Sequence, residues 1–292
     1  MTQHATFSSD VRSLQMKITF PMKKHTILAL LVMLITSTLT FAQTREVRNV
    51  ENFTKISFRF PGKLYLKQGS PQKVELEGDK DVLEEVETDV EGSRLVIGKE
   101  GKWFKWDNDD DKITVYITMP NIEGVSVSGS GSVIGQATIR TGDVDLNVSG
   151  SGSLTLNIDA TGDVGADVSG SGDIDLKGDC ESFDSHVSGS GKVRLEASIK
   201  NRATFGVSGS GRIEASGSAD DVKTNISGSG KILAADLQTN RCEVRISGSG
   251  DVEINVKNEL DANISGSGNV SYRGNPGKVN SHASGSGKVR KM

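Results

Sequence analysis

A chain of 292 residues with 34 glycines, 5 prolines and only 5% aromatic side chains lacks the bulky rings that fill a thick core, so its interior has to be thin and built from Val, Ile, Leu and Ala. Its 34 basic and 38 acidic residues are spread along the chain with almost no aromatics beside them, which excludes a nucleic-acid groove made of phosphate contacts and base stacking.

In chain order, the first segment is a targeting signal. Met22 precedes Lys23, Lys24 and His25, an apolar run extends from Thr26 to Phe41, and Thr40 and Ala42 place small residues at −3 and −1 of a cleavage site. The pattern predicts a signal peptide over 1–42 with Met22 as the working start. At sixteen residues the apolar run is short for a bilayer span, and no second run follows. The expectation is export to the periplasm, outer envelope or extracellular space, with no stable membrane span after cleavage; an uncleaved anchor is the alternative. No cysteine stands just after the apolar run, against a lipid anchor. Cleavage leaves thirty basic side chains against thirty-seven acidic, a charge of −7.

Residues 43–125 read as N-terminal β coils. Lys55 to Phe60, Lys63 to Leu66, Lys73 to Glu77 and Arg94 to Ile97 alternate apolar and polar residues as half-buried strands do, and Gly-containing turns separate them. A step of about twenty divides the segment into coils over 54–72 and 73–92, with one helical turn near Asp81. The next coil carries an inserted loop over 98–111.

From 126 to 292 one motif repeats. Ser-Gly-Ser-Gly begins at Ser128, Ser149, Ser169, Ser188, Ser208, Ser227, Ser247, Ser265 and Ser284. This spacing predicts a β-solenoid of about 19–20 residues per coil, continuous with the N-terminal coils. The fold class is all-β, a single-stranded parallel β-helix. Right-handed crossovers are preferred, with the left-handed hexapeptide helix as the alternative. The glycines suit a corner of positive φ or close backbone approach, and the serines could form hydroxyl ladders between coils. Cys180 and Cys242 sit three coils apart, roughly 14 Å at 4.8 Å per coil, too far for a disulfide. Both are expected as free thiols.

These repeats, the lead-in from Ile113 to Pro120, and Phe53, Ile56, Gly62, Leu64, Gln68, Gly69, Val74, Gly92, Leu95 and Ile97 together resemble the bacterial head GIN domain family of auto-transporter adhesins. The resemblance spans about 47–292 and implies a secreted or envelope-associated β-helical protein with an adhesive role and no established catalysis.

The residues carry little chemistry of other kinds. A calcium nonapeptide ladder needs regular Asp after the glycines, but only Asp173 and Asp251 of the nine residues following the motif are acidic. A polysaccharide lyase or hydrolase on this fold needs carboxylates clustered with a base in one groove, and the acids do not recur as stacked pairs on adjacent coils. His186 and His282 are five coils apart and read as solvent-facing. No cofactor, no metal and no catalytic residue is predicted. The singular feature is the inserted loop, where Trp103, Phe104, Trp106, Asp107 and Asp109 form either a contact site for a cell-surface glycan or protein or a cap on the coils. Alternatives to adhesion are a β-helical carbohydrate-active enzyme and a purely structural envelope protein. The C-terminal coil leaves room for self-association unless Lys288, Arg290 and Lys291 block it.

Overall fold

The computed structural model describes residues 44–98 and 113–292. The segment 1–42 expected as a signal peptide, and all of the 98–111 loop except Gly98, lie outside the described residues.

Alternation gives each strand one buried row. β10 (Val144–Gly150) buries Val144, Leu146 and Val148; β11 (Ser153–Ala160) buries Leu154, Leu156, Ile158 and Ala160. A strand cannot satisfy its own amides and carbonyls, so each bonds to its equivalent one repeat away. β10 pairs in parallel with β8 (Gly124–Gly129) and β12 (Asp163–Gly170), and β11 with β9 (Ser132–Thr141) and β13 (Asp173–Cys180). Ser128, Ser149, Ser169 and Ser188 stand in one column: the sequence period is the coil. The first face, ending at each Ser-Gly-Ser-Gly corner, continues through β14 (Ser182–Gly189) and β16 (Arg202–Gly209). The second face, beginning after the corner, continues through β15 (Lys192–Ile199). β17 (Arg212–Gly228), β18 (Lys231–Gly248) and β19 (Asp251–Gly266) run unbroken through both faces, and β20 (Asn269–Arg273), β21 (Lys278–Gly285) and β22 (Lys288–Lys291) complete the stack. The fold is the all-β solenoid of stacked parallel coils that the repeat predicts.

The N-terminal region differs from expectation in two respects. Residues 73–92 do not form a coil. β4 (Lys73–Gly78) lies antiparallel to both β1 (Thr44–Arg48) and β7 (Ile113–Met119), and β5 (Glu87–Glu91) lies antiparallel to β6 (Arg94–Gly98). One helical turn, α1 (Lys80–Leu83), reverses the chain between them, at the place where the sequence allowed one. A parallel stack ends in unpaired amides and an open core, and these antiparallel strands cover both. Arg48 Nη2 donates to the Leu83 carbonyl at 2.6 Å, pinning β1 to that cover. The coil order also departs from chain order. β2 (Lys55–Phe58) pairs with both β6 and β8, and β3 (Gly62–Gln68) with both β7 and β9, so the first coil lies between the second and third.

Core packing follows the columns. Val127, Val148, Val168, Val187, Val207 and Ile226 stack like on like. Where rings enter, neighbours shrink: buried Phe183 is paired with Ala203, and buried Phe205 lies between Ser185 and Thr224. The two rings meet with centroids 6.1 Å apart. Each aliphatic side chain removed from water contributes about 1.5–3 kcal/mol.

The corner shows why both glycines are required. Gly189 has φ +115°, and a Cβ there would stand 2.6 Å from the Gly170 carbonyl oxygen. A Cβ on Gly191 would meet Val168 Cγ1 at 2.5 Å and the Gly172 oxygen at 2.5 Å. The expected ladder of motif hydroxyls does not form. The Ser190 amide donates to the Gly170 carbonyl at 2.9 Å and the Lys192 amide to that of Gly172 at 3.0 Å, a pattern repeated from coil to coil. The backbone satisfies itself, leaving the second serine of each motif exposed. A hydroxyl contact between coils occurs one residue later, where Ser153 donates to Ser132 at 2.8 Å.

Cys180 and Cys242 are buried free thiols. Burial pushes the Cys180 thiol up to about 11, with the charges of Asp163 and Asp179 adding to it. Burial raises Cys242 as well, with Glu243 adding.

Three outcomes are expected from this packing. Gly189→Val and Gly191→Val each cost about 1–3 kcal/mol through strain and overpacking, whereas Ser190→Ala stays within about 0.5 kcal/mol; thermal melts that rank the three alike would refute a steric role for the glycines. Thr224 buries a hydroxyl without a hydrogen-bond partner, so Thr224→Val should raise the melting temperature by removing an unmet desolvation cost of about 1 kcal/mol. The raised thiol pKa values mean that the native state keeps protons that the unfolded chain releases near pH ~8.5. The corresponding stability is complete below that pH and declines as pH climbs toward about 11. Urea midpoints at pH 8 and pH 10 should therefore fall less in a Cys180→Ala/Cys242→Ala variant than in the parent.

Candidate functional site

Parallel register puts outward side chains of successive coils in columns at about 4.8 Å spacing. On the first face one column reads Arg202, Asp221, Arg241, Glu259, Lys278. Charge alternates along it. Arg241 holds Asp221 through two bonds of 2.6 and 2.9 Å, and Lys278 reaches Glu259 at 2.5 Å.

On the second face, Thr155, Asp175, Arg194 and Glu214 form one column, and Asn157, Lys177, Glu196 and Ser216 the next. Arg194 grips Asp175 with both arms of its guanidinium, Nη2 lying 2.8 Å from Oδ2. Lys177 meets Glu196 at 2.7 Å, and Glu214 takes Lys192 at 2.8 Å and Arg212 at 3.4 Å. Partial burial would raise the Glu214 pKa, but the hydrogen bonds and charges of Lys192 and Arg212 outweigh it and hold the carboxyl below its ordinary value.

These columns, continued by Leu233, Ala235 and Asp236 of β18 and Glu253 of β19, bound a groove of about 690 Å³ across six coils. Gly178 at φ +136° and Gly217 at φ +111° follow directly after Lys177 and Ser216 of the second column. The half-buried column of Asp175, Arg194 and Glu214 is the floor, and the more exposed column of Lys177 and Glu196 is a wall. After a register shift in β18, Asp236 stands opposite Ser216 and continues the second column, tied to Arg273 at 3.1 Å.

The acids are therefore less scattered than their chain positions suggest. Stacked carboxylates occur on adjacent coils, contrary to the sequence expectation: Glu243 lies beside Asp261, and Asp143 Oδ1 accepts the Asp163 amide at 2.9 Å. Glu243 is engaged by Arg245 and by Lys223 at 3.8 Å, and Asp261 accepts from Asn263 at 2.8 Å. His186 and His282 are exposed, in the same column. Among the described residues no group of three or more His, Cys, Asp or Glu could hold a metal ion.

Trp103, Phe104, Trp106, Asp107 and Asp109 lie outside the described residues. Their flanking strands are described: β6 ends at Gly98 on the first face and β7 starts at Ile113 on the second. In chain order the insertion thus falls between a first-face and a second-face strand, as the Ser-Gly-Ser-Gly motif does in later coils. The groove residues escaped the sequence reading. Their signal is positional: Asp175, Arg194 and Glu214 each fall six residues after the start of a motif, which shows only when coils are written one beneath another.

Among the described residues no helix is long and apolar enough to cross a membrane. No curated protein matches the chain. Solved structures do. A putative adhesin from Parabacteroides distasonis aligns with a TM-score of 0.67 at 20% identity, covering 86% of this chain and 97% of its own. One from Parabacteroides merdae gives 0.65 at 21%, with 87% and 97% covered. A putative lipid binding protein from Parabacteroides distasonis gives 0.64 at 23%, with 87% and 98% covered. These likenesses establish a shared solenoid fold. The family model described as "Putative auto-transporter adhesin, head GIN domain" matches residues 52–215 and 200–276, and the chain belongs to that family.

Proposed function

We propose that the protein is an exported, non-catalytic adhesion or envelope-interaction protein, delivered by the 1–42 signal to the periplasm, outer envelope or exterior, where it binds a surface glycan or protein. The observation that carries this reading is the state of its polar faces. Columns of charged and hydroxylated side chains are held in register on a rigid frame, and Asp175, Glu196, Glu214, Asp221 and Glu259 among their acids are already paired with bases. A general acid for glycoside cleavage needs a raised pKa, while Glu214, in the groove, is held low.

One relative is described as lipid binding. A lipid-like ligand needs an apolar cavity of a few hundred Å³. Here the apolar pocket beside Gly178 measures about 10 Å³, and the larger groove on the second face is open and bordered by charged columns. That favours recognition at the outer surface.

The loop containing Trp103, Phe104, Trp106, Asp107 and Asp109 is proposed as a contact element, since loops inserted in solenoids often form the binding face. A glycan array probed with the mature chain and with Trp103→Ala/Trp106→Ala tests it. Binding by the parent that drops at least tenfold in the variant, at unchanged melting temperature, is the expected result. Equal binding with lowered stability would make the loop a cap. Release of new reducing ends or unsaturated sugars from any polysaccharide would overturn the non-catalytic reading.

A further inference from the structure

We infer that the groove on the second face is a binding site for an extended, uncharged glycan lying along the solenoid axis. The inference rests on the adhesive reading above and gives that surface a ligand class.

Its shape comes first. The groove crosses the strands and runs along the stack, so a ligand inside it meets one set of side chains per coil. Six coils contribute, from Thr155 to Glu253, each displaced by about 4.8 Å, a rise comparable to one pyranose ring in an extended chain. Asp236, held by Arg273 at 3.1 Å, continues the second column beyond Ser216.

Charge selects the ligand. The floor presents acid and base already neutralised in pairs: Asp175 with Arg194, and Glu214 with Lys192 and Arg212. An anionic polymer would have to break these pairs or face Glu214 and the nearby Glu253, and a cationic one would compete with Arg194. A sugar hydroxyl does neither. It donates to the free lone pairs of Asp175 or Glu214 while accepting from a guanidinium or amide hydrogen left over by the pairs. Thr155, Asn157 and Ser216 add neutral donors and acceptors at the margins.

The floor is also prearranged. Its residues project from strands bonded on both sides, so little side-chain ordering is required on binding. No aromatic side chain lines the groove among the described residues. Affinity therefore has to come from repeated hydrogen bonds along the polymer and should grow with chain length.

The test uses the mature chain with cello-, xylo-, manno- and laminari-oligosaccharides of two to six sugars, plus a hexagalacturonate, in isothermal titrations. Arg194→Gln/Asp175→Asn removes the central charged pair and keeps its shape. Arg241→Gln, on the other face, is the control. The expected result is binding of at least one neutral hexasaccharide, at least tenfold weaker for the disaccharide. It should change less than twofold between 50 and 500 mM salt, fall at least tenfold in the groove variant and persist in the control. No binding of any neutral hexasaccharide, equal binding by the groove variant, or preference for the hexagalacturonate with steep salt dependence overturns the inference. Attachment of the mature chain to host or bacterial surfaces, measured alongside, separates the two readings. Attachment that survives in the groove variant leaves adhesion standing without this site. Absent attachment together with groove-dependent oligosaccharide binding leaves the site standing without adhesion.

Discussion

The whole molecule depends on the backbone hydrogen bonds between coils. Each strand exchanges amide–carbonyl bonds with its equivalent one period away, which fixes the coil spacing at about 4.8 Å and makes every side chain a neighbour of its counterpart above and below. Two consequences follow. Inside, a column must hold total volume nearly constant, so Phe183 and Phe205 enter only beside Ala203 and Ser185. Outside, a charge placed at one position stacks on whatever occupies that position in the next coil, and alternation of sign is the stable solution. The column from Arg202 to Lys278 is of this kind.

The corner is where that constraint is severest. From the second motif onward, backbones of adjacent coils approach there so closely that a Cβ on either glycine would penetrate a carbonyl. The serines between them are under no such demand, because amides already fill the ladder positions. Conservation of the motif across nine coils within one chain therefore has two separate origins. Glycine answers to sterics, and serine is a small residue at a solvent-facing turn.

The coil was legible in the sequence because its corner is a local, repeated steric requirement. The buried rows flanking it were legible through alternation, and the free thiols through coil counting. The N-terminal arrangement was not. Lys73 to Glu77 has the same alternation as a coil strand, and alternation does not distinguish parallel from antiparallel pairing. Only the need to cover an open edge does so, and that is a property of the assembled stack. The groove was hidden for a related reason. Asp175, Arg194 and Glu214 are about twenty residues apart along the chain and become neighbours only through register. The tryptophan-bearing loop was singled out by composition, and the structure contributes the position of its two stems.

The inverted order of the first coils bears on how the chain comes to be folded. β2 bonds to Gly124 through Val127 of β8, and Lys55 is opposite Gly124, 69 positions later. A chain synthesised N-terminus first presents its leading coil with neither flanking neighbour yet available. The later coils have no such delay, since each finds its partner one period away, and contacts between near positions form faster than those that close long loops. Assembly of this solenoid is accordingly expected to start among the glycine-cornered coils, with the segment synthesised first completed last.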